Sequence, residues 1–420
     1  MKKINKRIII LLALFIYKIV LDVGYVYFVH DKFEYMGFLL NVNWFKYLIS
    51  IGSFLLIYVF VPKTSYKPSY IFIQLHLIIM IIPMLTIYSF TNQATEYFIT
   101  IISLFILECV LVKRLPEVNI VRIKHSKFIL YLVFGVISVY VYFSMIYYNG
   151  IPSLNALNLM NVYDIRSNIK YPFLTMYLVN WQAKVINPFM ITLSYINRKW
   201  KYLAVSIFLQ IVLFLIVPHK AYLFIPVAII ATMFLYERYQ LFEVFSKTAA
   251  LSSFTLVMIY IYTKSIWLPS LFIRRLLFVP ALIKFHYYDF FSTNPKLFFS
   301  EGLIGSLLNL DYPYDMNSSN LMSAIYFNNP NSGANTGYIA DAYANMGLLG
   351  MFFMTIMLVI IFKIIDSLSI KIGKGLVIGM AIFSIMSLND SALLTTMLTG
   401  GLLFLIFVLY LYTNINNERR

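Results

Sequence analysis

"NTGYIADAYANMGLLGMFFMTIMLVIIF", Asn335 to Phe362, sets a run of small and polar residues directly against an apolar one. The second half carries no charge and opens a stretch hydrophobic enough to cross a bilayer. The first half carries one carboxylate, Asp341, and no basic residue. With Asn335 or Thr336 as N-cap, Tyr338, Asp341 and Asn345 fall at i, i+3 and i+7, on one helix face. Ala340, Ala342 and Ala344 keep the other side thin enough for close packing. The pattern predicts a helix that continues, or kinks at Gly347, into a membrane span. Its N-terminus, aimed into an outer cavity, would favour an anion; the alternative is a small-residue entry chosen for packing alone.

Apolar runs of this kind recur along the whole chain. Of its 420 residues 61% are hydrophobic and only 12% charged, and the mean hydropathy is +0.80. These values indicate an all-α polytopic membrane protein. About twelve spans are expected, near 8–29, 44–61, 70–90, 97–112, 128–148, 173–196, 202–217, 222–236, 249–267, 347–365, 376–389 and 393–412. The opening "MKKINKRIIILLALFIY" has no small-residue cleavage site after it and reads as a retained first span. A net charge of +16 would suggest nucleic acid in a soluble protein, but here it follows the positive-inside rule. With the N-terminus inside, most of the 33 Lys and Arg fall on cytoplasmic connections, so both termini are expected in the cytoplasm and no nucleic-acid partner is.

Two outer segments are long. Residues 149–172, "NGIPSLNALNLMNVYDIRSNIKYP", join spans five and six, and residues 268–346 join spans nine and ten. The expected organisation is therefore a bundle over 1–267, a large extracytoplasmic loop over 268–346 with the interfacial helix "SLFIRRLLFVPALIKFHYYDFF", and spans ten to twelve with a tail over 347–420. Long connections in compact proteins are usually functional. Outer basic residues gather in these two segments: Arg166 and Lys170, then Arg274, Arg275, Lys284 and Lys296. An anionic ligand on the outer face accounts for the enrichment; so would a long translocated loop that escapes the charge rule.

Smaller constellations add detail. Lys18 and Asp22, four apart in the first span, can pair. Lys184 in "NWQAKVINPF" has no acid near it in sequence and must face the bundle interior, a partner or water. "VPHKAYLF" puts His219 and Lys220 at a short outer turn, suited to a proton shuttle and a phosphate clamp, or to a polar interfacial turn. Arg166 in "VYDIRS" is shaped to hold phosphate oxygens, with Asp164 beside it. Arg274 and Arg275 precede an aromatic amphipathic stretch that suits an interface near head groups. The single cysteine, Cys109, excludes an intramolecular disulfide, and no Cys/His cluster has zinc spacing. No GxGxxG after a strand, Walker loop, nucleophile elbow or HExxH occurs, so neither metal nor cofactor is expected. No internal repeat of 20 to 50 residues is evident.

Taken in order, "GIPSLN…VYDIRS", "HKAYLF", "RRLLFVPA…YYDFF" and "NTGYIADAYANMGLLG" resemble the Wzy-type oligosaccharide repeat-unit polymerases, the O-antigen and capsular polysaccharide polymerase family. The resemblance covers the whole topology and rests on the order of short motifs. It implies a glycosyltransferase on the outer face of the bacterial cytoplasmic membrane. Such an enzyme moves a growing glycan from undecaprenyl diphosphate onto another lipid-linked repeat unit, with a flippase and a chain-length regulator as partners. Arg166, Lys220, Arg274 and Arg275 would then hold the diphosphate, stabilising its developing charge. Asp341, with Asp289 or His286 as second choices, would be the general base, and Tyr343 and Asn345 would meet the glycan. The rival readings are a lipid-linked oligosaccharide flippase and the ligase that transfers finished polymer.

Overall fold

Lipid offers backbone groups no hydrogen bonds, so an apolar chain of this kind must satisfy them within helices. The computed structural model describes residues 6–121, 126–150, 154–157 and 162–417, and every regular element among them is helical. Eight helices are long and apolar enough to cross a membrane: Lys6–Met36, Pro68–Phe90, Thr95–Arg114, Ser126–Asn149, Lys220–Arg238, Leu241–Thr263, Tyr338–Ile372 and Leu393–Thr413. Trp44–Phe60, Trp200–Ile216 and Lys374–Asn389 are shorter apolar helices. Thr175–Trp181 runs through a π turn, Gln182–Ile186, into Asn187–Ile196. Lengths and composition suit a polytopic membrane protein.

Burial orders the bundle from centre to rim. The most apolar window of Pro68–Phe90 is 100% buried, that of Leu241–Thr263 only 22%. The first is therefore a central post, while peripheral helices turn Phe128, Val136, Val139 and Phe143 outward, where lipid would solvate them. Two of the carboxylates inside the bundle are paired or hydrogen-bonded, as a low-dielectric interior favours, whereas the buried Lys363 ammonium has no hydrogen-bond partner among the described residues. Lys18 meets Asp22 at 2.5 Å, and Asp22 also accepts from Thr86 at 2.7 Å and Tyr47 at 3.1 Å. Asp366 accepts from the backbone and hydroxyl of Ser69 at 3.0 and 2.6 Å.

The stretch at 335–362 kinks at Gly347. Met346 (φ −140°, ψ 20°) and Gly347 (φ 63°, ψ −147°) leave helical geometry inside Tyr338–Ile372. A Cβ on Gly350 would lie 2.3 Å from the Ala342 carbonyl oxygen, whereas residues eight apart in a straight helix are separated by about 12 Å. The limb before the kink therefore folds back on the limb after it. Tyr338, at the start of the first limb, and Phe362, well down the second, both lie about one ring's reach from His76, at 6.1 and 6.0 Å between centroids.

Two expectations change in detail. The interfacial helix divides: Ser270–Phe278 is a π-helical stretch with Leu271, Phe272 and Leu276 exposed, but Val279–Thr293 is embedded, with Pro280 through Phe285 buried against Tyr338–Ile372. An aromatic-rich helix with a polar edge fits an interface and a packed interior equally well by pattern, and packing decides. The span expected at 393–412 is interrupted, with a short helix at Leu393–Met397 and a new start at Leu402.

Gly347 occupies a region of backbone space that is essentially glycine-only, where a side chain costs about 1–3 kcal/mol. Gly347→Ala is expected to lower the unfolding temperature in detergent by several degrees. Gly52→Ala, whose added methyl meets nothing within 4 Å, should not lower it.

Candidate functional site

The breaks in the helices bring polar groups together. Lys374–Asn389 ends in a 3-10 turn, Ser387–Asn389, and its last carbonyl is taken up by Lys284. The buried Lys284 ammonium donates to the Asn389 carbonyl at 2.7 Å, to Asn389 Oδ1 at 2.9 Å and to the Pro280 carbonyl at 3.1 Å. A cation at a helix C-terminus is favoured by the aligned peptide dipoles. Gly337 presses on the same turn, where a Cβ would approach the Asn389 carbonyl oxygen to 2.5 Å. Asn389 in turn donates to the Leu276 carbonyl at 3.4 Å.

Asp390 follows this clamped residue. Its side chain is exposed, although the residue before it is buried. Its charged neighbours are Lys284 and Lys184. Lys184 projects from the π turn Gln182–Ile186, and π turns of this kind often mark functional positions. Trp181, one turn earlier, donates to the Leu398 carbonyl at 2.9 Å and ties that helix to the broken segment.

His219 and Arg166 extend the cluster. His219 stands at the N-cap of Lys220–Arg238 and stacks on Tyr222 with centroids 5.1 Å apart. Tyr222 donates to Asn180 Oδ1 at 2.9 Å. Burial first, then the nearby positive charges of Arg166 and Lys184, push the His219 imidazole down to about 4, so it is neutral at pH 7. Its Nδ1 is buried without a hydrogen-bond partner among the described residues. Arg166, on the short helix Val162–Ser167, is exposed beside this group. The Asp164 side chain lies outside the described residues.

The other expected phosphate ligands are distributed. Lys220 begins the helix directly after His219. Arg274 lies 4.2 Å over the Phe33 ring and donates to Ser270 Oγ at 2.8 Å and to Met36 Sδ at 3.0 Å. Arg275 is exposed one residue before Leu276, whose carbonyl receives Asn389. Arg166 and Arg274 thus have different neighbours and do not form one clamp.

The three expected acid–base residues also divide. Asp341 lies one turn above Gly337, within electrostatic reach of Glu301 and Tyr287. Asp289 accepts a 2.6 Å hydrogen bond from Tyr326, and the His286 ring stacks on Tyr326 at 4.1 Å. Burial pushes His286 down to about 4, against the pull of Asp289, and its Nε2 has no hydrogen-bond partner among the described residues. Tyr343 and Asn345 are only 7% and 5% exposed, which leaves a sugar little to touch. Tyr343 packs on Tyr97 and Tyr288 under the Lys296 ammonium, 3.7 Å from its ring. Asn345 donates to the Asp341 carbonyl at 2.9 Å and accepts from the Phe299 backbone at 2.8 Å, pinning a turn in which Phe298 and Phe299 both have positive φ.

Sequence reading did not bring Lys284, Asn389 and Asp390 together. The available signal was "SLNDSALLTT", an Asn-Asp pair between two apolar runs, which passes for an ordinary short turn. No protein-family model, characterised protein or solved structure matches the chain.

The two histidines make stability depend on pH. Each binds a proton more readily in the unfolded chain, near 6.5, than in the folded one, near 4. Their contribution is therefore present above about 6.5 and is lost as pH falls from there toward 4. The unfolding temperature is expected to drop across that window, and the double substitution His219→Gln, His286→Gln should flatten the drop; an unchanged slope would refute the assignment.

Proposed function

We propose that the chain is a multi-pass glycosyltransferase of the bacterial cytoplasmic membrane that joins oligosaccharide repeat units carried on undecaprenyl diphosphate into a surface polysaccharide. The observation that carries the reading is the turn at Asp390, whose charged neighbours are Lys284 and Lys184, with Arg166 and Lys184 both beside His219; we read this group as the lining of a recess. Irregular backbone at membrane depth is tolerated where it lines a cavity or is buried in protein. Fixed cations in such a cavity suit an anionic, lipid-borne substrate. The order of the sequence motifs supports the same reading.

In this proposal twelve helical segments span the membrane with both termini in the cytoplasm, and the recess opens outward. Arg166 and Lys184 take the diphosphate, with Lys220, Arg274 and Arg275 along its approach. Arginine holds phosphate oxygens through two parallel N–H groups, and a lysine adds a point charge. As the sugar–phosphate bond breaks, negative charge grows on the leaving diphosphate, and preorganised cations lower the barrier. Neutral His219 adds a hydrogen-bonding group without further charge. Asp341, Asp289 and His286 remain positions to test for proton transfer.

Deleting the gene is expected to leave single repeat units without a polymer ladder on a gel of surface polysaccharide. Accumulation of lipid-linked units on the cytoplasmic side would favour a flippase, and polymer stranded on the lipid carrier would favour the ligase. Arg166→Ala is expected to shorten or abolish the ladder at unchanged protein level; a normal ladder would remove Arg166 from the site.

Orientation is tested separately in a Cys109→Ser background. Asn331→Cys should react with an impermeant maleimide in intact cells, and Lys371→Cys only after lysis. The reverse pattern would overturn the outward-opening recess.

A further inference from the structure

We propose that Asp390 is the proton-accepting carboxylate of this site and that Lys284 is the residue that positions it. This inference rests on the transferase reading above. Three observations converge on Asp390. It is held by a clamped backbone, because the preceding residue is fixed by Lys284 at its carbonyl and side-chain oxygen and by the close approach of Gly337. It is accessible, although its surroundings are protein. Its carboxylate takes a hydrogen bond from its own backbone N–H, and no side chain among the described residues is bonded to it, which leaves an oxygen for a substrate hydroxyl.

The other acids are engaged or differently placed. Asp22 holds Lys18, Tyr47 and Thr86; Asp366 holds Ser69; Asp289 holds Tyr326. Asp341 has Glu301 and Tyr287 as electrostatic neighbours, without a cation among its principal influences. Asp390 has Lys284 and Lys184 as charged neighbours, with His219 and Arg166 beyond Lys184; Asp366 also has two lysines near it, but its carboxylate is taken up by Ser69. A base there sits next to the charges that would hold the leaving group.

The step balances without a co-reactant. The acceptor sugar hydroxyl attacks the anomeric carbon of the donor glycan, and a new carbon–oxygen bond forms as the bond from that carbon to the diphosphate oxygen breaks. The bonding pair departs with the lipid diphosphate, whose charge Arg166 and Lys184 offset. The hydroxyl proton passes to the Asp390 carboxylate and from there to water. Lys284 does not touch the substrate: its three acceptors belong to the chain. It fixes the turn from which Asp390 projects.

The test uses the full-length protein in nanodiscs with lipid-linked repeat units extracted from the deletion strain. Asp390→Asn is expected to lower polymer formation at least about 100-fold, the usual loss on removing a general base, while still retaining the lipid-linked unit. Lys284→Arg, which keeps the cation, should lower turnover at unchanged half-saturation. Asp390→Glu should retain measurable activity and move the acidic limb of the rate–pH profile, against the fixed background of Lys284, Lys184, His219 and Arg166. Activity of Asp390→Asn above about a tenth of wild type overturns the proposal while leaving the transferase reading intact. If Asp390→Asn does not fold, Asp390→Glu decides, and a wild-type rate with an unmoved acidic limb overturns it. Wild-type protein that forms no polymer overturns the transferase reading instead.

Discussion

The ammonium of Lys284 on the last carbonyl of Lys374–Asn389 is the contact on which the turn at Asp390 depends. A helix that stops inside an apolar bundle leaves carbonyl groups with no intrahelical partner, and each orphan in such surroundings costs several kcal/mol. Water or a side chain must meet them. Here one fully buried lysine meets two oxygens of Asn389 and one of Pro280, so the helix end and Val279–Thr293 become a single unit. Replacing that cation by an apolar side chain would orphan three acceptors together.

The same logic runs through the interior, where polar groups occur in sets. Below the fold-back at Gly347, Tyr338 donates to Glu108 at 3.4 Å and His76 lies 3.7 Å from the same carboxylate, all three buried. Beside the π turn, Gln182, Asn187 and Gln210 join amide to amide at 2.8 Å. Such networks are expensive to break and specify one arrangement of the helices around them. Helices of both networks pack against Lys374–Asn389, which lets an irregular segment keep a fixed shape in a medium that cannot solvate it.

Local pattern carried much of the architecture. Apolar runs announced the helices because lipid demands length, the Lys18–Asp22 pair followed from i, i+4 spacing, and of a helix continuing or kinking at Gly347 the structure takes the kink. The site was less legible because its partners are distant in sequence. Lys284 and Asn389 are 105 residues apart, and nothing local in "SLNDSA" shows that a lysine on another helix will clamp it. Tyr343 and Asn345 looked like sugar ligands because polar and aromatic residues at a loop mouth have that composition. Their side chains instead hold the Phe298–Phe299 turn and an aromatic stack. Composition reports what a residue can bond, and only packing decides with what.

Gly337 connects the folded-back limb to the turn that Lys284 clamps. It is the N-cap of the limb that folds back at Gly347, and it also lies against the Asn389 carbonyl. The limb is held from below by Tyr338 on Glu108 and His76, and from above by Asn345 on the Phe299 turn. A displacement of either anchor would therefore press on the residue that precedes Asp390. Close-packed interiors transmit such strain because they have little free volume to absorb it. The polar prelude at Asn335–Gly350 thus acts through its backbone: it lies against the Asn389 turn, and the bulk missing at Gly337 is what lets the Lys284 clamp and the folded-back limb occupy the same turn.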